Sequence, residues 1–417
     1  MKLLWFSNTP ANADEYLNRE LSETGGWLKS IDKAFQDKVD LHIAFYHDQN
    51  IGSFRYCNSQ YYPILKYKNL FGQAKKRALN EVIGNEHLHI YLNLIAKIKP
   101  DIIHIHGTEN PFGCIINQTD IPVIVSIQGN ITVYLHKYYS GIESKYLKLK
   151  NTHISDIKTL VLPHSFKKSR NKFIKMQRRE EKNLKHCRYI IGRTSWDRRI
   201  SRVLAPERSY FHNDEILRDN FYHAKWLPRS HKKIILHTTN SNNFYKGFET
   251  LCLALYELNK LGVDCEWRVP GINDNDLIVK VVKKKINNKF PQKNLKLLGC
   301  LTERNLIEKL LEADIYVMPS HIENSPNNLC EAMILGMPCI ATFAGGTGSL
   351  LKDGHEGILI QDGDPWVMTG AVLELKEDYN RAILLGENAR MRALNRHDKD
   401  RIVNELNDIY KKILKRI

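Results

Sequence analysis

The sequence predicts an α/β protein of two domains, each built on a parallel β-sheet with helices on its faces. Short apolar segments rich in β-branched residues alternate along the chain with segments of helical periodicity, and this alternation is typical of parallel sheets. The chain has 417 residues, of which 42% are hydrophobic. That length and composition suit two domains of about 200 residues, each with a well-formed core.

In the first half, each predicted strand is a short apolar run. These strands are Lys2–Phe6, Val39–Ala44, Pro100–His106, Val123–Ile127 and Tyr189–Gly192. Periodicity predicts helices from Thr24 to Phe35 and from Glu81 to Lys97. Gly25 and Gly26 stand where the first helix begins. Glycine there lets backbone N–H groups approach a phosphate, although a tight turn needs glycine equally.

A polar stretch containing proline, Trp226–Ser230, predicts an interdomain linker, so the domains are expected at residues 1–226 and 227–397. The strands predicted after it are Lys233–His237, Cys265–Val269, Leu295–Leu298, Asp314–Pro319 and Cys339–Thr342. The helices predicted after it are Gly247–Leu261, Asp276–Ile286, Glu303–Ala313 and Asn327–Leu335. Residues 398–417 form a final predicted helix with one apolar face.

The net charge of +16 favours a polyanionic partner. The excess is concentrated between Phe166 and Arg188, where ten Lys and Arg accompany only Glu180 and Glu181. Interleaved apolar residues predict an amphipathic helix, which either contacts an anionic membrane surface or is a solvated face. The sequence has none of the usual nucleic-acid-binding signatures, so no nucleic-acid partner is expected.

The cysteine pattern and the hydropathy of the chain indicate the cellular compartment in which the protein is expected. The eight cysteines are scattered without a C-x-x-C pair, which indicates free thiols in a reducing cytoplasm and argues against zinc. No segment reaches the roughly 20 apolar residues that span a bilayer, and the N-terminal apolar run is too short for a signal peptide. The triplets Asp274–Asp276 and Asp362–Asp364 do not follow long apolar strands, so neither is expected to hold a metal.

Two carboxylates eight positions apart, Glu323 and Glu331, are the most informative pattern. Glu323 follows a predicted strand, and Glu331 lies in the first turns of the next helix. Ligands bind beyond the carboxyl ends of parallel strands, and a helix N-terminus there attracts an anion. The segment therefore predicts a phosphate seat at Asn327 and Asn328, with two acids to accept hydrogen bonds from sugar hydroxyls.

From His321 to Asp364 the sequence resembles the donor-site block of retaining glycosyltransferases of family 4. The shared features are the two acids, the A-M-x-x-G-x-P-x-I-A-T run, a G-G turn, and a closing D-G-x-x-G-x-L-I-x-x-G-D-P run. The resemblance implies the GT-B fold, with two Rossmann-like parallel-sheet domains facing a central cleft. It further implies a UDP- or GDP-linked sugar donor, no metal, and a glycan or lipid-linked acceptor.

The resemblance also implies roles for individual residues. Glu323 would lie near the donor sugar and Glu331 at the nucleotide ribose, while Lys246 would meet the diphosphate leaving group. Around them, the residues implied to line the donor site are Gly25, Gly26, Gly345, Gly346 and, through its backbone at the base, Cys300. The final helix would pack back on the N-terminal domain.

The chain departs from the family at two positions. An arginine usually stands about five residues before the lysine, and here the stretch Thr238–Tyr245 has none. Gln128 replaces a histidine that many members place near the donor sugar, and an amide cannot accept a proton as imidazole does. His106 ends a predicted strand and is either a structural histidine or a substrate contact.

Together with these patterns, the resemblance implies an enzyme that moves a sugar, with retention, onto a lipid-linked glycan in surface polysaccharide synthesis. Three alternatives stay open at this point. They are a nucleotide-sugar epimerase or hydrolase on the same fold, a basic nucleic-acid-binding protein, and a binding module without activity.

Overall fold

The computed structural model describes residues 1–17, 26–66, 87–147, 166–229 and 233–416. The chain divides into two compact units, which are described separately below. Unit 1 comprises Met1–Leu135, Asn151–Ile216 and Asp398–Ile417. Unit 2 comprises His136–Lys150 and Leu217–His397, so it includes a short segment from the first half of the chain.

Unit 1 is built on an eight-stranded sheet. Its strands are β1 (Lys2–Ser7), β2 (Asp40–His47), β3 (Phe54–Tyr56), β4 (Ser59–Leu65), β5 (Ile102–His106), β6 (Val123–Ser126), β7 (Tyr189–Gly192) and β8 (Ser209–His212). They lie in the order β3-β4-β2-β1-β5-β6-β7-β8, and all described pairs are parallel except β3 with β4. The order reverses between β1 and β5, which makes their carboxyl ends the switch point of the sheet.

Unit 2 is built on a six-stranded, wholly parallel sheet. Its strands are β9 (Ile234–His237), β10 (Cys265–Pro270), β11 (Leu295–Gly299), β12 (Ile315–Met318), β13 (Cys339–Thr342) and β14 (Ile358–Ile360). They lie in the order β11-β10-β9-β12-β13-β14. Here the switch point lies between β9 and β12, beyond whose carboxyl ends a ligand is expected.

Helices cover both sheets. In chain order they are α1 (Ala13–Tyr16), α2 (Gly26–Phe35), α3 (Leu88–Ile98), α4 (Ile131–His136), α5 (Ser144–Leu147), α6 (Phe166–Leu184), α7 (Ser195–Leu204), α8 (Asp219–His223), α9 (Phe248–Lys260), α10 (Leu277–Ile286), α11 (Glu303–Leu311), α12 (Asn327–Leu335), α13 (Pro365–Glu377), α14 (Tyr379–Arg396) and α15 (Lys399–Leu414). Gly25 lies outside the described residues, and Gly26 is the first residue of α2.

Each unit has its own hydrophobic core. In unit 1 the aromatic rings of Phe6, Tyr91 and Phe112 lie against one another under the sheet, with centroids 5.1 to 5.5 Å apart. In unit 2 the core beneath β12 and β13 includes nearly the whole of α12, which explains why that helix is apolar on most of its surface.

The unit boundary lies earlier than the predicted linker. Trp226 is buried in unit 2, where its backbone N–H donates to the carbonyl of Leu335 at 2.8 Å and its indole N–H donates to that of Ala313 at 2.7 Å. The structure therefore places the division after Ile216 and not after Trp226. The sequence could not reveal this because proline and polar residues mark turns within a domain as well as linkers.

The final helix lies in unit 1, as the resemblance implies. Asp398 caps α15 by accepting the backbone N–H of Arg401 at 2.7 Å. Tyr410 is fully buried, and its hydroxyl group accepts a hydrogen bond from the indole of Trp5 at 3.2 Å. Among the described helices, none combines the length and apolar character that a bilayer crossing requires.

Candidate functional site

The strongest candidate site lies at the switch point of the unit 2 sheet. Lys246 ends a short 3-10 turn after β9, and Glu323 lies in the loop after β12. The ammonium Nζ of Lys246 is 2.5 Å from Oε1 of Glu323, which also accepts a hydrogen bond from Ser320 Oγ at 2.8 Å. Glu323 is 5% exposed and Lys246 is 21% exposed, so the pair is shielded yet open on the lysine side.

Glycine fixes the backbone around Lys246. Gly247 has φ +71°, and a Cβ atom there would overlap the carbonyl of Pro319 at the end of β12. The helix α9 starts immediately after it. Only glycine allows the chain to turn this close to the neighbouring strand, so Lys246 is held at the carboxyl edge of the sheet.

The turn at Gly345 and Gly346 supports Glu323 from the other side. The backbone N–H of Gly346 donates to the carbonyl of Glu323 at 2.8 Å. Gly345 has φ +61°, and a Cβ atom there would overlap the same carbonyl. Both glycines therefore contact the backbone of the candidate catalytic acid, and the positive φ and close approach at Gly345 explain why glycine is needed at that position.

Gly345→Ala is expected to destabilise the protein and to disturb Glu323. The positive φ costs about 1 kcal/mol for a residue with a side chain, and the overlap with the Glu323 carbonyl adds about 1–3 kcal/mol. Urea unfolding measures the loss. Gly354→Ala is the matched control, because its φ of +71° is similar and nothing in the described structure lies within 4 Å of the added methyl group. Equal losses in the two variants would contradict the proposed support of Glu323.

Glu331 forms a bidentate ion pair with Arg218. The two guanidinium nitrogens Nε and Nη2 each lie 2.8 Å from a carboxylate oxygen of Glu331. Burial raises the pKa of Glu331, and the charge of Arg218 opposes that rise. The guanidinium also lies over the ring of Phe221, 4.7 Å from its centroid. Arg218 could not be assigned to this site from the sequence, because the two partners are 113 positions apart and no local pattern links them.

The start of α12 has the polar side chains that were predicted for a phosphate seat. Asn328 donates from Nδ2 to the carbonyl of Thr239, which follows β9, at 3.1 Å. Within the part of the chain that the structure describes, Oδ1 of Asn327 is buried and has no hydrogen-bond partner. Cys300 is exposed just beyond β11, the edge strand, on the same carboxyl edge of the sheet.

In unit 1, His106 and Gln128 line a small cavity of about 20 Å³, which holds roughly one water molecule. The cavity lies at the carboxyl edge, and its other walls include Trp27, Arg193 and Glu215. His106 is 2% exposed, and neither ring nitrogen has a hydrogen-bond partner among the described residues. Burial lowers the pKa of His106 to about 3, so the imidazole is neutral and can both donate and accept.

His104, two residues earlier on β5, has a structural role. Its Nδ1 lies 2.6 Å from the hydroxyl of Tyr410, and its Nε2 lies 2.6 Å from Ser126 Oγ. The two histidines of β5 therefore differ. His104 joins the final helix to the sheet of unit 1, whereas His106 faces the cavity with unused hydrogen-bonding capacity.

The predicted basic helix is α6. Lys175, Arg178 and Lys182 are exposed along it. Glu180 is buried instead, and it accepts the backbone N–H groups of Ile131 at 3.1 Å and Thr132 at 2.7 Å, at the start of α4. The helix is thus solvated on one side and anchored to unit 1 on the other.

The two Asp-x-Asp triplets have structural partners. Asp276 accepts the backbone N–H of Asn273 at 2.7 Å, and Asp364 caps α13 by accepting those of Trp366 and Val367. Over the described ranges, no group of three or more His, Cys, Asp or Glu side chains is placed to hold a metal ion.

The family model described as "Glycosyl transferases group 1" matches residues 219–392. Among curated relatives, N-acetyl-alpha-D-glucosaminyl L-malate synthase of Bacillus anthracis is 30% identical over 111 residues, which cover 27% of this chain and 29% of that protein. UDP-Gal:alpha-D-GlcNAc-diphosphoundecaprenol alpha-1,3-galactosyltransferase of Escherichia coli is 32% identical over 120 residues, which cover 28% of this chain and 30% of that protein. The matches thus span less than a third of the length of either relative.

The fold is similar to that of a solved sucrose-phosphate synthase over the whole chain. Sucrose-phosphate synthase from Thermosynechococcus elongatus matches with a TM-score of 0.74 and 13% identity, over 100% of this chain and 99% of that one. At that identity the likeness concerns the fold alone. The predicted class, with two parallel sheets and their helices, is confirmed. Residues 219–392 of this chain match the model of the glycosyl transferases group 1, and the fold is GT-B.

Proposed function

We propose that this protein transfers a sugar, with retention, from a nucleotide diphosphate donor to a lipid-linked glycan acceptor in surface polysaccharide synthesis. The observation that supports the proposal most strongly is the Lys246–Glu323 pair at the switch point of the unit 2 sheet. The substrate has a diphosphate joined to a sugar by the bond that breaks. A cation at this position suits the diphosphate, and the carboxylate beside it suits the sugar.

Lys246 would stabilise the leaving diphosphate. An ammonium group has three N–H donors, so Lys246 can keep Glu323 and still donate to a phosphate oxygen. When the bond between the anomeric carbon and the diphosphate breaks, the diphosphate keeps the electron pair and gains negative charge. The acceptor hydroxyl oxygen forms the new bond on the same face, and its proton passes to the departing diphosphate. Glu323 would stabilise the positive charge that develops on the donor sugar.

The rest of the donor would lie along the carboxyl edge of the same sheet. Glu331 would accept hydrogen bonds from the ribose hydroxyls while Arg218 holds its carboxylate in place. Asn327 and Asn328 would approach the phosphates at the start of α12, and the backbone at Cys300 would meet the base. Arg218 supplies a second cation in unit 2, although it lies at Glu331 and not beside Lys246.

On the acceptor side, His106 and Gln128 would contact a sugar hydroxyl. Both line the unit 1 cavity, and the unpartnered nitrogens of His106 give a neutral donor and acceptor. The resemblance also implies that Gly25 and Gly26 approach the donor phosphates, and Gly26 is the first residue of α2. A neutral imidazole that hydrogen-bonds a hydroxyl can orient it for attack.

The lipid-linked acceptor is suggested by the E. coli relative, whose name specifies UDP-Gal and a diphosphoundecaprenol acceptor. An acceptor of that kind lies at a membrane, and the exposed basic side chains of α6 suit its anionic surface, at about 1 kcal/mol for each residue near it. We propose that the protein lies at the cytoplasmic face of the membrane. The test is co-sedimentation of the protein with lipid vesicles. We expect the protein to sediment with anionic vesicles and not with neutral ones, and equal sedimentation with both would contradict the proposal.

The donor is tested by thermal unfolding with UDP, GDP, ADP and CDP. We expect UDP or GDP to raise the midpoint, because a ligand at a hundredfold excess over its Kd adds about 2.7 kcal/mol to the stability of the folded state. A nucleotide that stabilises is then supplied as its sugar conjugate, with and without a diphosphoundecaprenol-linked acceptor. Product formed only with the acceptor supports transfer, whereas free sugar or an epimer without it would overturn the proposal.

A further inference from the structure

His321 lies between the two halves of the proposed diphosphate site. It follows β12 and precedes Glu323 by two residues, and it is 4% exposed. Its backbone N–H donates to the carbonyl of Tyr245 at 2.8 Å, and Tyr245 is the neighbour of Lys246. The loop of Glu323 and the turn of Lys246 are therefore joined through the backbone of His321.

The imidazole of His321 contacts two carboxylates. Nε2 lies 2.6 Å from Oε1 of Glu249, and Nδ1 lies 3.2 Å from Oδ2 of Asp362. Only the imidazolium has an N–H on both nitrogens, so only the cation can donate to both acids. Burial lowers the pKa of His321, but hydrogen bonds and charge from Glu249 and then Asp362 raise it above its ordinary value of 6.5.

These contacts join three elements at the donor edge. Glu249 is in the first turn of α9, three residues after Lys246, while His321 and Asp362 follow β12 and β14. Glu249 is itself buried, and Thr250 Oγ1 donates to its Oε1 at 3.1 Å. A neutral His321 would leave the Glu249 carboxylate buried without its counter-charge, which is costly.

A segment from the first half of the chain covers this group within unit 2. Lys137 Nζ lies 3.6 Å from Oδ2 of Asp362. Gly141 has φ +74°, and a Cβ atom there would overlap Oε1 of Glu249. Lys285 on α10 donates to the carbonyl of Gly141. The charged groups around His321 are thus Glu249, Asp362 and Lys137, with Lys285 one contact further away.

We propose that protonated His321 is a positioning residue, which clamps the start of α9 to the loop of Glu323 and so fixes Lys246 for the donor diphosphate. The proposal rests on the proposed function for its consequence, the loss of donor affinity at high pH. The clamp itself acts on the backbone of unit 2, so its effect there can be measured without a ligand.

The direction with pH follows from the raised pKa. Because the pKa of His321 in the folded protein lies above its ordinary value of 6.5, the stabilisation is complete below about pH 6.5 and is lost as the pH rises through the folded-state pKa. Donor affinity should fall over the same range. By linkage, a nucleotide that binds the clamped form raises the proton affinity of His321 by the same factor by which protonation of His321 raises the affinity for the nucleotide.

The ligand-free test is hydrogen exchange of the peptide containing Phe244–Gly247, corrected for intrinsic rates. In the wild-type protein we expect the protection factor of this peptide to be about 5- to 150-fold lower at high pH than at pH 6. That range is the usual strength of a coupling between two sites. His321→Gln should show low protection at both pH values. His355→Gln is the matched control, since His355 is exposed and also pairs with a carboxylate, that of Glu356, at 3.1 Å. Wild-type protection in His321→Gln would overturn the proposal.

Asp362→Asn is the milder variant, to be used also if His321→Gln does not fold. It removes the more exposed of the two acids and should move the midpoint of the pH dependence to lower pH without abolishing it. An unchanged midpoint would overturn the clamp, since a merely structural role of Asp362 would not shift it. The test is completed by measuring, as a function of pH, the dissociation constant of the nucleotide diphosphate that stabilises the protein in the thermal assay. Failure of every nucleotide to bind would overturn the proposed function, while the exchange data would still decide on His321.

Discussion

Lys246→Met is expected to lower the turnover of sugar transfer by about 10²–10³-fold, the usual cost of removing one donor to the charge that develops in a transition state. Methionine keeps much of the length and apolar stem of lysine, so the loss should come from the missing ammonium group 2.5 Å from Glu323. The measurement is the steady-state rate with the sugar nucleotide that binds. Since the charge grows as the bond breaks, kcat should fall more than the affinity for the donor.

Lys260→Met serves as the control for Lys246→Met. Lys260 ends α9 in the same unit, and its side chain is exposed beside Glu257 at 3.6 Å, away from the carboxyl edge of the sheet. Its replacement should leave turnover unchanged. If Lys246→Met retained wild-type kcat, the leaving-group role of Lys246 would be wrong, whatever the affinity for the donor.

Glu331→Ala is expected to destabilise unit 2 by about 3–5 kcal/mol, because it leaves the guanidinium of Arg218 largely buried without its carboxylate. The midpoint and slope of urea unfolding measure this loss. The same variant should bind the donor much more weakly, since a hydrogen bond to a charged group contributes about 1.5–3 kcal/mol. Loss of fold alone could produce that weakening, so the single variant does not separate the two effects.

The double variant Arg218→Met/Glu331→Met separates stability from binding. Replacing both members of a buried ion pair by apolar residues of similar volume is often neutral or stabilising, so most of the stability should return. Donor affinity should stay low, because the carboxylate proposed for the ribose is still missing. A double variant that binds the nucleotide as the wild type does would remove the ribose assignment of Glu331.

Local sequence pattern was sufficient to predict those helices and strands that have a strong hydrophobic periodicity or end at a glycine or proline. The strand before Glu323 and the helix Asn327–Leu335 were both predicted, and the structure has that helix with the same bounds. The strands β3 and β4 were not predicted. Pro63 and an alternation of buried and partly buried residues hide β4 from a search for continuous apolar runs.

The candidate site was only partly visible in the sequence. Lys246 and Glu323 could be assigned because family spacing brings them to neighbouring strand ends, and the structure has them in contact. Arg218 and the His321–Glu249 contact could not be assigned. Their partners lie 113 and 72 positions away, and the packing of α8 against α12 and of the start of α9 beside the loop after β12 brings them together.

The membership of His136–Lys150 in unit 2 has a consequence for dissecting the protein. The chain passes between the units after Leu135, Lys150, Ile216 and His397, so neither unit is one continuous stretch. A fragment cut at Leu217 and His397 would lack Tyr139, whose ring lies 6.0 Å from that of Phe244, and Lys137 beside Asp362. Expression of unit 2 by itself therefore requires a rearranged or fused gene that restores this missing peptide. Simple truncation would remove Gly141, which lies against Glu249, and would expose that buried carboxylate to solvent.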